Sequence, residues 1–248
     1  MRNRLLFALC LIGCVLLASC SKKDDPVTPF GSVHFSVSNE VSGQPVAMGP
    51  VNYTNAAGNQ YSVDLLKYLL SNFTLVKEDG SEQHFSNYVL IDASDPDYLH
   101  FDLDSVLNGN YKSIRFYVGV DSAHNHTGLQ EGALDPVHGM IWTWNTGYIF
   151  FKNEGYFMDS TNTRQHFVQH LGMDMSLSTV TIPLSDFKIS GDKKNCTLHF
   201  DLNRVYGTST SGRVDFNDNP VRMSDPRDDA FWMITLRNNF GQAFSVGN

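Results

Sequence analysis

Two tryptophans one residue apart, Trp142 and Trp144, stand in the run Gly139–Phe150, which is the densest aromatic stretch of the chain. Around them lie close-set histidines: His124 with His126, His138 just upstream, and His166 with His170 downstream, out of nine in all. Neutral imidazole is a good ligand for copper, zinc or nickel, and the thioether of Met140 would add a soft donor suited to copper. Neither a Cys-rich zinc pattern nor His-Glu-x-x-His occurs. Taken singly, each histidine is also accounted for as a solvated or hydrogen-bonded side chain, which is the reading for His34, His84, His100 and His199. Two tryptophans on one strand face are likewise accounted for as sheet core, with each indole N–H satisfied.

Other chemistries find less footing. No serine or cysteine sits in a nucleophile motif, there is no Gly-x-Ser-x-Gly elbow, and no glycine pattern for a nucleotide is present. The protein is therefore read as a binding protein and not an enzyme. The formal charge is −8, and loss of Arg2 and Arg4 with an N-terminal leader would make it −10. An acidic domain without a basic run argues against nucleic acid as a partner.

The leader is readable. Met1-Arg2-Asn3-Arg4 supplies a positive start, Leu5–Leu17 an apolar segment shorter than a membrane span, and Leu17-Ala18-Ser19-Cys20 a lipobox. Residues 1–19 are expected to be a lipoprotein signal peptide, with Cys20 the lipidated first residue of the mature chain. Residues 20–31 form a tether, whose Ser21-Lys22-Lys23-Asp24-Asp25 resembles the charged tract of Bacteroidetes-type lipoproteins. That places the protein at the outer membrane, facing the periplasm or the cell surface. Cys10 and Cys14 leave with the leader and Cys20 carries lipid, so Cys196 stays unpaired and the fold depends on its core.

The elements that must position these residues read mostly as strands within one domain, 32–248. Ser32–Ser38 alternates apolar and polar residues, as a half-buried strand does. Tyr61–Leu70 is the best helical pattern, with Ser62 as cap and Leu65, Leu66, Leu69 and Leu70 on one face. Asp79-Gly80 marks a hairpin between Phe73–Lys77 and Asn87–Asp92. Ser113–Val120 reads as a central strand, Asp121–His138 as a long polar loop, and Met140–Phe150 as a strand with its even-numbered residues on one face. Val180–Leu184 and Cys196–Val205 are further strands; Tyr206–Asp229 is mostly loop, and Ala230–Ile234 is strand or helix by pattern. The fold class expected is all-β: a single β-sandwich or irregular barrel-like domain with long loops and one short helix.

The motif Gly139-Met140-Ile141-Trp142-Thr143-Trp144-Asn145-Thr146-Gly147-Tyr148, followed by Glu154-Gly155 and His170-Leu171-Gly172, resembles the methanobactin-associated copper-binding proteins called MbnP-like. Leu66-Lys67-Tyr68, Ser71-Asn72-Phe73 and Gly119-Val120-Asp121 carry the likeness over most of the mature chain. The resemblance implies capture or storage of Cu(I) by histidines and a tryptophan oxidised to kynurenine, the oxidation being done by a partner, a dihaem cytochrome c peroxidase-like enzyme. Carried onto this sequence, Trp144 or Trp142 is the oxidised position and His170 a ligand, with His138 or His166 as the second. The rival reading is a surface β-sandwich that binds a carbohydrate or a protein through exposed Trp142, Trp144 and Tyr148, without metal.

Overall fold

A computed structural model describes residues 29–49, 53–142, 147–208, 212–225, 227 and 229–247. Residues 1–19, expected to be a signal peptide, and Cys20 and Trp144 lie outside the described residues. The strands are β1 (Phe30–Val41), β2 (Gln44–Pro45), β3 (Tyr53–Thr54), β4 (Gln60–Tyr61), β5 (Leu65–Lys77), β6 (Glu82–Asp92), β7 (His100–Leu107) and β8 (Gly109–Val118). After a long excursion come β9 (Ile149–Met158), β10 (Arg164–Gly172), β11 (Ser178–Ile189), β12 (Lys193–Asp201), β13 (Val221–Met223) and β14 (Phe244–Gly247). Three α-helices are assigned: α1 (Ser122–Asn125), α2 (Leu202–Val205) and α3 (Ala230–Phe240).

The strands form two sheets, an all-β sandwich as the alternating patterns predict. The smaller runs β14-β12-β1-β2 with β7 also on β1; the larger runs β11-β8-β5-β9-β10-β13, with β6 on β5 and the β3–β4 pair on β9. The pairs are antiparallel except β1 with β12 and β10 with β13. In β1, Val33, Phe35 and Val37 are buried while His34, Ser36 and Ser38 point away from the core. The main core lies between the sheets, where Tyr68 meets Phe200 and Phe116 meets Phe244. Cys196 is buried in it as a free thiol, which burial pushes above the usual thiol pKa.

One expectation is overturned. The leucines of Tyr61–Leu70 belong to no helix; Leu65–Lys77 is the strand on which the larger sheet pivots. Its one edge carries β6 and its other carries β9 along Leu65–Tyr68 and β8 farther on. Leu66, Tyr68 and Leu70 enter the main core, and Leu69 enters a second, smaller one with Leu90, Val120, Leu134, Met140, Tyr148, Ile149 and Phe150. A strand buried on both faces carries a continuous apolar run, and such a run imitates helical spacing. Ser62 caps nothing; its hydroxyl accepts from the Tyr156 amide at 3.3 Å.

The second core sits on the outer face of the larger sheet, closed over by the segment from Asp121 to Trp142. Within what reads as loop from Asp121 to His138 the chain forms short helical segments, α1 and the 3₁₀ turns Gly132–Leu134 and Pro136–His138.

Candidate metal centre

Two aspartates pin the covering segment. Asp121 accepts from Tyr88 Oη, from Asn72 Nδ2 at 2.9 Å and from the ring of His124 at 3.0 Å. Burial pushes its carboxyl up, but the hydrogen bonds outweigh burial and hold it well below the usual range. Asp174, on the turn after β10, accepts from Ser122 Oγ at 2.5 Å, Asn125 Nδ2 at 2.6 Å and His126 Nε2 at 3.1 Å. It too is held low, burial opposing and these three donors prevailing. His124 and His126 thus have carboxylate partners and serve to fasten α1.

Asn125 passes that anchorage to the tryptophan stretch. It is 3 % exposed, and while its Nδ2 donates to Asp174, its Oδ1 accepts from the buried amide of Tyr148 at 2.7 Å. Gly147, at φ +73°, makes the approach possible: a Cβ there would lie 2.3 Å from Asn125 Oδ1. The flanks of the stretch then run back on each other. Ile149 N–H donates to Met140 C=O at 2.8 Å, Trp142 N–H to Gly147 C=O at 3.3 Å, and Ile141 bridges Tyr148 antiparallel. Met140–Phe150 is therefore not one strand with a shared even face. The strand reading fails because Gly147 and Tyr148 run antiparallel to Ile141 and Trp142.

Trp142 is half-buried and its ring lies over Gly172, the last residue of β10. A Cβ on Gly172 would stand 2.9 Å from Trp142 Cζ3 and 2.5 Å from the Tyr148 carbonyl oxygen. Two residues back on the same strand is His170, 7 % exposed. Its Nε2 lies 2.8 Å from Glu154 Oε1 on β9, and its Nδ1 is buried without a hydrogen-bond partner among the described residues. Burial lowers the imidazole pKa; the Glu154 hydrogen bond works against this without cancelling it. A neutral imidazole with one open, shielded nitrogen is a metal ligand in waiting.

Strand register fixes what surrounds it. His170 pairs with Lys152 of β9 on one side and with Met223 of β13 on the other. Met223 is 48 % exposed, so a thioether borders the imidazole on the open edge of the sheet. Lys152 Nζ donates to the Gly139 carbonyl at 3.3 Å, which brings the start of the tryptophan stretch to the same place. His138 comes with it, but its own Nε2 is 3.0 Å from the Gly132 carbonyl and its ring packs edge-on against Tyr98. His166 shares the sheet face of His170, yet four residues of strand separate them by about 13 Å, and it is exposed against Tyr156. Among the described residues no three His, Cys, Asp or Glu side chains converge. One histidine with a carboxylate on its far nitrogen and one methionine paired beside it in the sheet are what the described residues offer, and of these the imidazole and the thioether suit a soft ion.

Reasoning from sequence missed Met223 and the role of Glu154. Glu154 was visible only as part of a motif, and its i+16 relation to His170 needs the β9–β10 register. Met223 sits in a stretch read as loop, where nothing distinguishes a three-residue strand.

The family model described as MbnP matches residues 30–224. No curated protein matches the chain. Among solved structures, MbnP from Methylosinus trichosporium is similar, at 15 % identity and TM-score 0.57, covering 87 % of this chain and 98 % of that one; at that identity the likeness is one of fold.

Proposed function

The chain belongs to the MbnP family, and from that membership together with the Nδ1 of His170, buried without a partner among the described residues, two residues from the Gly172 over which Trp142 lies, we propose that it is an exported lipoprotein that binds copper as Cu(I). His170 is the anchoring ligand. Trp142 or Trp144, oxidised to kynurenine, supplies an aryl amine as a second uncharged nitrogen, and His138, beside the Gly139 carbonyl that Lys152 reaches, or His166 supplies a further imidazole. A d¹⁰ ion accepts so few neutral donors without thiolate, and the one described thiol, Cys196, is buried in the main core. The oxidising equivalents come from a dihaem cytochrome c peroxidase-like partner. The protein captures or stores the metal and catalyses nothing itself. Cys20 carries the lipid that holds it at the outer membrane.

The observation that carries this reading is the open nitrogen of His170; a histidine of the core has both nitrogens satisfied. The rival aromatic platform is weakened because Tyr148 is 1 % exposed, its hydroxyl donating to the Leu134 carbonyl at 2.9 Å. Metal analysis and peptide mass spectrometry on protein purified from its native host test the proposal: bound copper and a kynurenine at Trp142 or Trp144 are expected. Metal-free protein with both tryptophans intact would refute it. His170→Ala should lose copper while keeping its melting temperature within a few degrees.

A further inference from the structure

The contact between β9 and β10 says more than that His170 is a ligand. An ionised carboxylate only accepts hydrogen bonds. With Glu154 Oε1 at 2.8 Å from Nε2, the one proton of a neutral His170 is on Nε2, and the lone pair is on Nδ1, the atom buried with no partner among the described residues. We infer that Glu154 is a positioning residue that locks His170 in its Nε2–H tautomer, fixes the ring plane and so assigns Nδ1 as the metal-donor atom. The identity of the metal rests on the copper reading; the lock does not.

The fold holds Glu154 where this requires. Its backbone is paired on both edges, with Leu65 of β5 and Val168 of β10, and its carbonyl accepts from the Asp64 amide at 2.8 Å. The next residue must be glycine, since a Cβ on Gly155 would lie 2.1 Å from the Ser62 carbonyl oxygen. That close approach seats β9 against the chain entering β5 and leaves Glu154 little freedom to slide along the strand. Because Val168 faces Glu154 and Lys152 faces His170, the carboxylate reaches the imidazole diagonally across the same sheet face, a reach that suits the length of Glu. Val168 is 8 % exposed, so beside the carboxylate stands an apolar side chain and not a competing donor. A carboxylate on the far nitrogen of a ligand imidazole makes the near nitrogen more basic and pre-orients it, and losing such a partner costs roughly 10–100-fold in metal affinity.

The test uses the full mature chain, first without metal. Long-range ¹H–¹⁵N correlation spectra of ¹⁵N-histidine-labelled protein distinguish the tautomers, and His170 should show the Nε2–H pattern. Glu154→Leu should lose the fixed tautomer and weaken Cu(I) binding, measured by chelator competition, by roughly 10–100-fold. Glu154→Gln keeps an acceptor oxygen and should restore the tautomer and much of the affinity; it also covers the case in which the leucine variant fails to fold. A wild-type Nδ1–H tautomer, or equal affinity and equal spectra in all three proteins, would overturn the inference. The expected tautomer with no Cu(I) binding in any of them would overturn the donor assignment through failure of the copper reading, with the Glu154–His170 lock itself upheld.

Discussion

Replacing Asn125 by alanine removes both ends of the link between Asp174 and the tryptophan stretch. The Asp174 carboxylate is partly exposed and keeps Ser122 and His126 as donors, so water and neighbours repair that end. The Tyr148 amide has no such recourse. Tyr148 is 1 % exposed and, among the described residues, its N–H bonds only Asn125 Oδ1, at 2.7 Å. Leaving a buried donor unsatisfied costs about 1–3 kcal/mol; the middle of that range, ~2 kcal/mol, corresponds to a roughly 30-fold greater population of the locally opened state. Hydrogen exchange followed by mass spectrometry reads it directly. Peptides spanning Tyr148–Phe150 should exchange roughly 30-fold faster, while peptides of β1 and β12 in the main core stay unchanged. Copper retention should fall in parallel, because Trp142 reaches Gly172 through the same reversed segment. Equal exchange at Tyr148 in the two proteins would show that Asn125 does not hold the segment, and the account of how the indole is positioned would fall with it.

Gly172→Ala would push a methyl to 2.5 Å from the Tyr148 carbonyl and 2.9 Å from the Trp142 ring. Backbone cannot give way as a side-chain end does, so a loss of about 1–3 kcal/mol and an altered Trp142 emission are expected; an unchanged melt and spectrum would contradict the packing. Met223→Leu keeps the volume and removes the sulfur, and should weaken Cu(I) retention by on the order of tenfold, ~1.4 kcal/mol, with the melting temperature unmoved; equal retention would exclude the thioether as a donor. Acid should release the covering segment before the sandwich. Asp121 and Asp174 are held below their ordinary pKa, so what they contribute is complete above the unfolded value near ~3.9 and is lost as pH falls through their folded values. Hydrogen exchange of residues 121–142 that stays slow down to complete unfolding would refute this. The metal-free His170 acts at higher pH: its folded pKa is lowered, so its neutral state carries no penalty above ~6.5, and stability declines below that. His170→Gln should flatten that part of the pH–stability profile measured by denaturant titration.

Where one face of a strand is wet, the chain announces itself. The alternation in Ser32–Ser38 becomes β1 with its odd residues in the core, Asp79-Gly80 turns β5 into β6, and Cys196 is buried where its strand pattern puts it. Leu65–Leu70 misleads because Leu69 serves the second core on the outside of the larger sheet while Leu66 and Leu70 serve the main one, and a residue buried in one is indistinguishable in sequence from one buried in the other; Met140–Phe150 misleads because its described ends pair with each other. Periodicity counts buried faces; it does not say that there are two. Of the candidate centre, the sequence shows the residue types, tryptophan and histidine, and names His170; that its Nδ1 is buried and unpartnered among the described residues it does not show. Its partners are not legible, because Glu154 and Met223 reach His170 only through the register of β9 and β13.

The second core also explains why the centre lies where it does. A sandwich buries its strands between sheets and leaves outer faces for polar side chains, and an imidazole on such a face is ordinarily wet at both nitrogens. Here residues 121–142 are held over the outer face by Asp121, Asp174 and Asn125, with Leu134 and Met140 in the second core. Beyond it Glu154 is partly solvated and Met223 exposed, while the Nδ1 of His170 is buried without a partner among the described residues. Shielding alone would make a buried histidine that repels protons and binds nothing. Exposure alone would give a titrating surface histidine with water on both nitrogens. The margin of a small core laid over a sheet supplies both conditions, and the ring of Trp142 lies there, over Gly172, two residues on from His170.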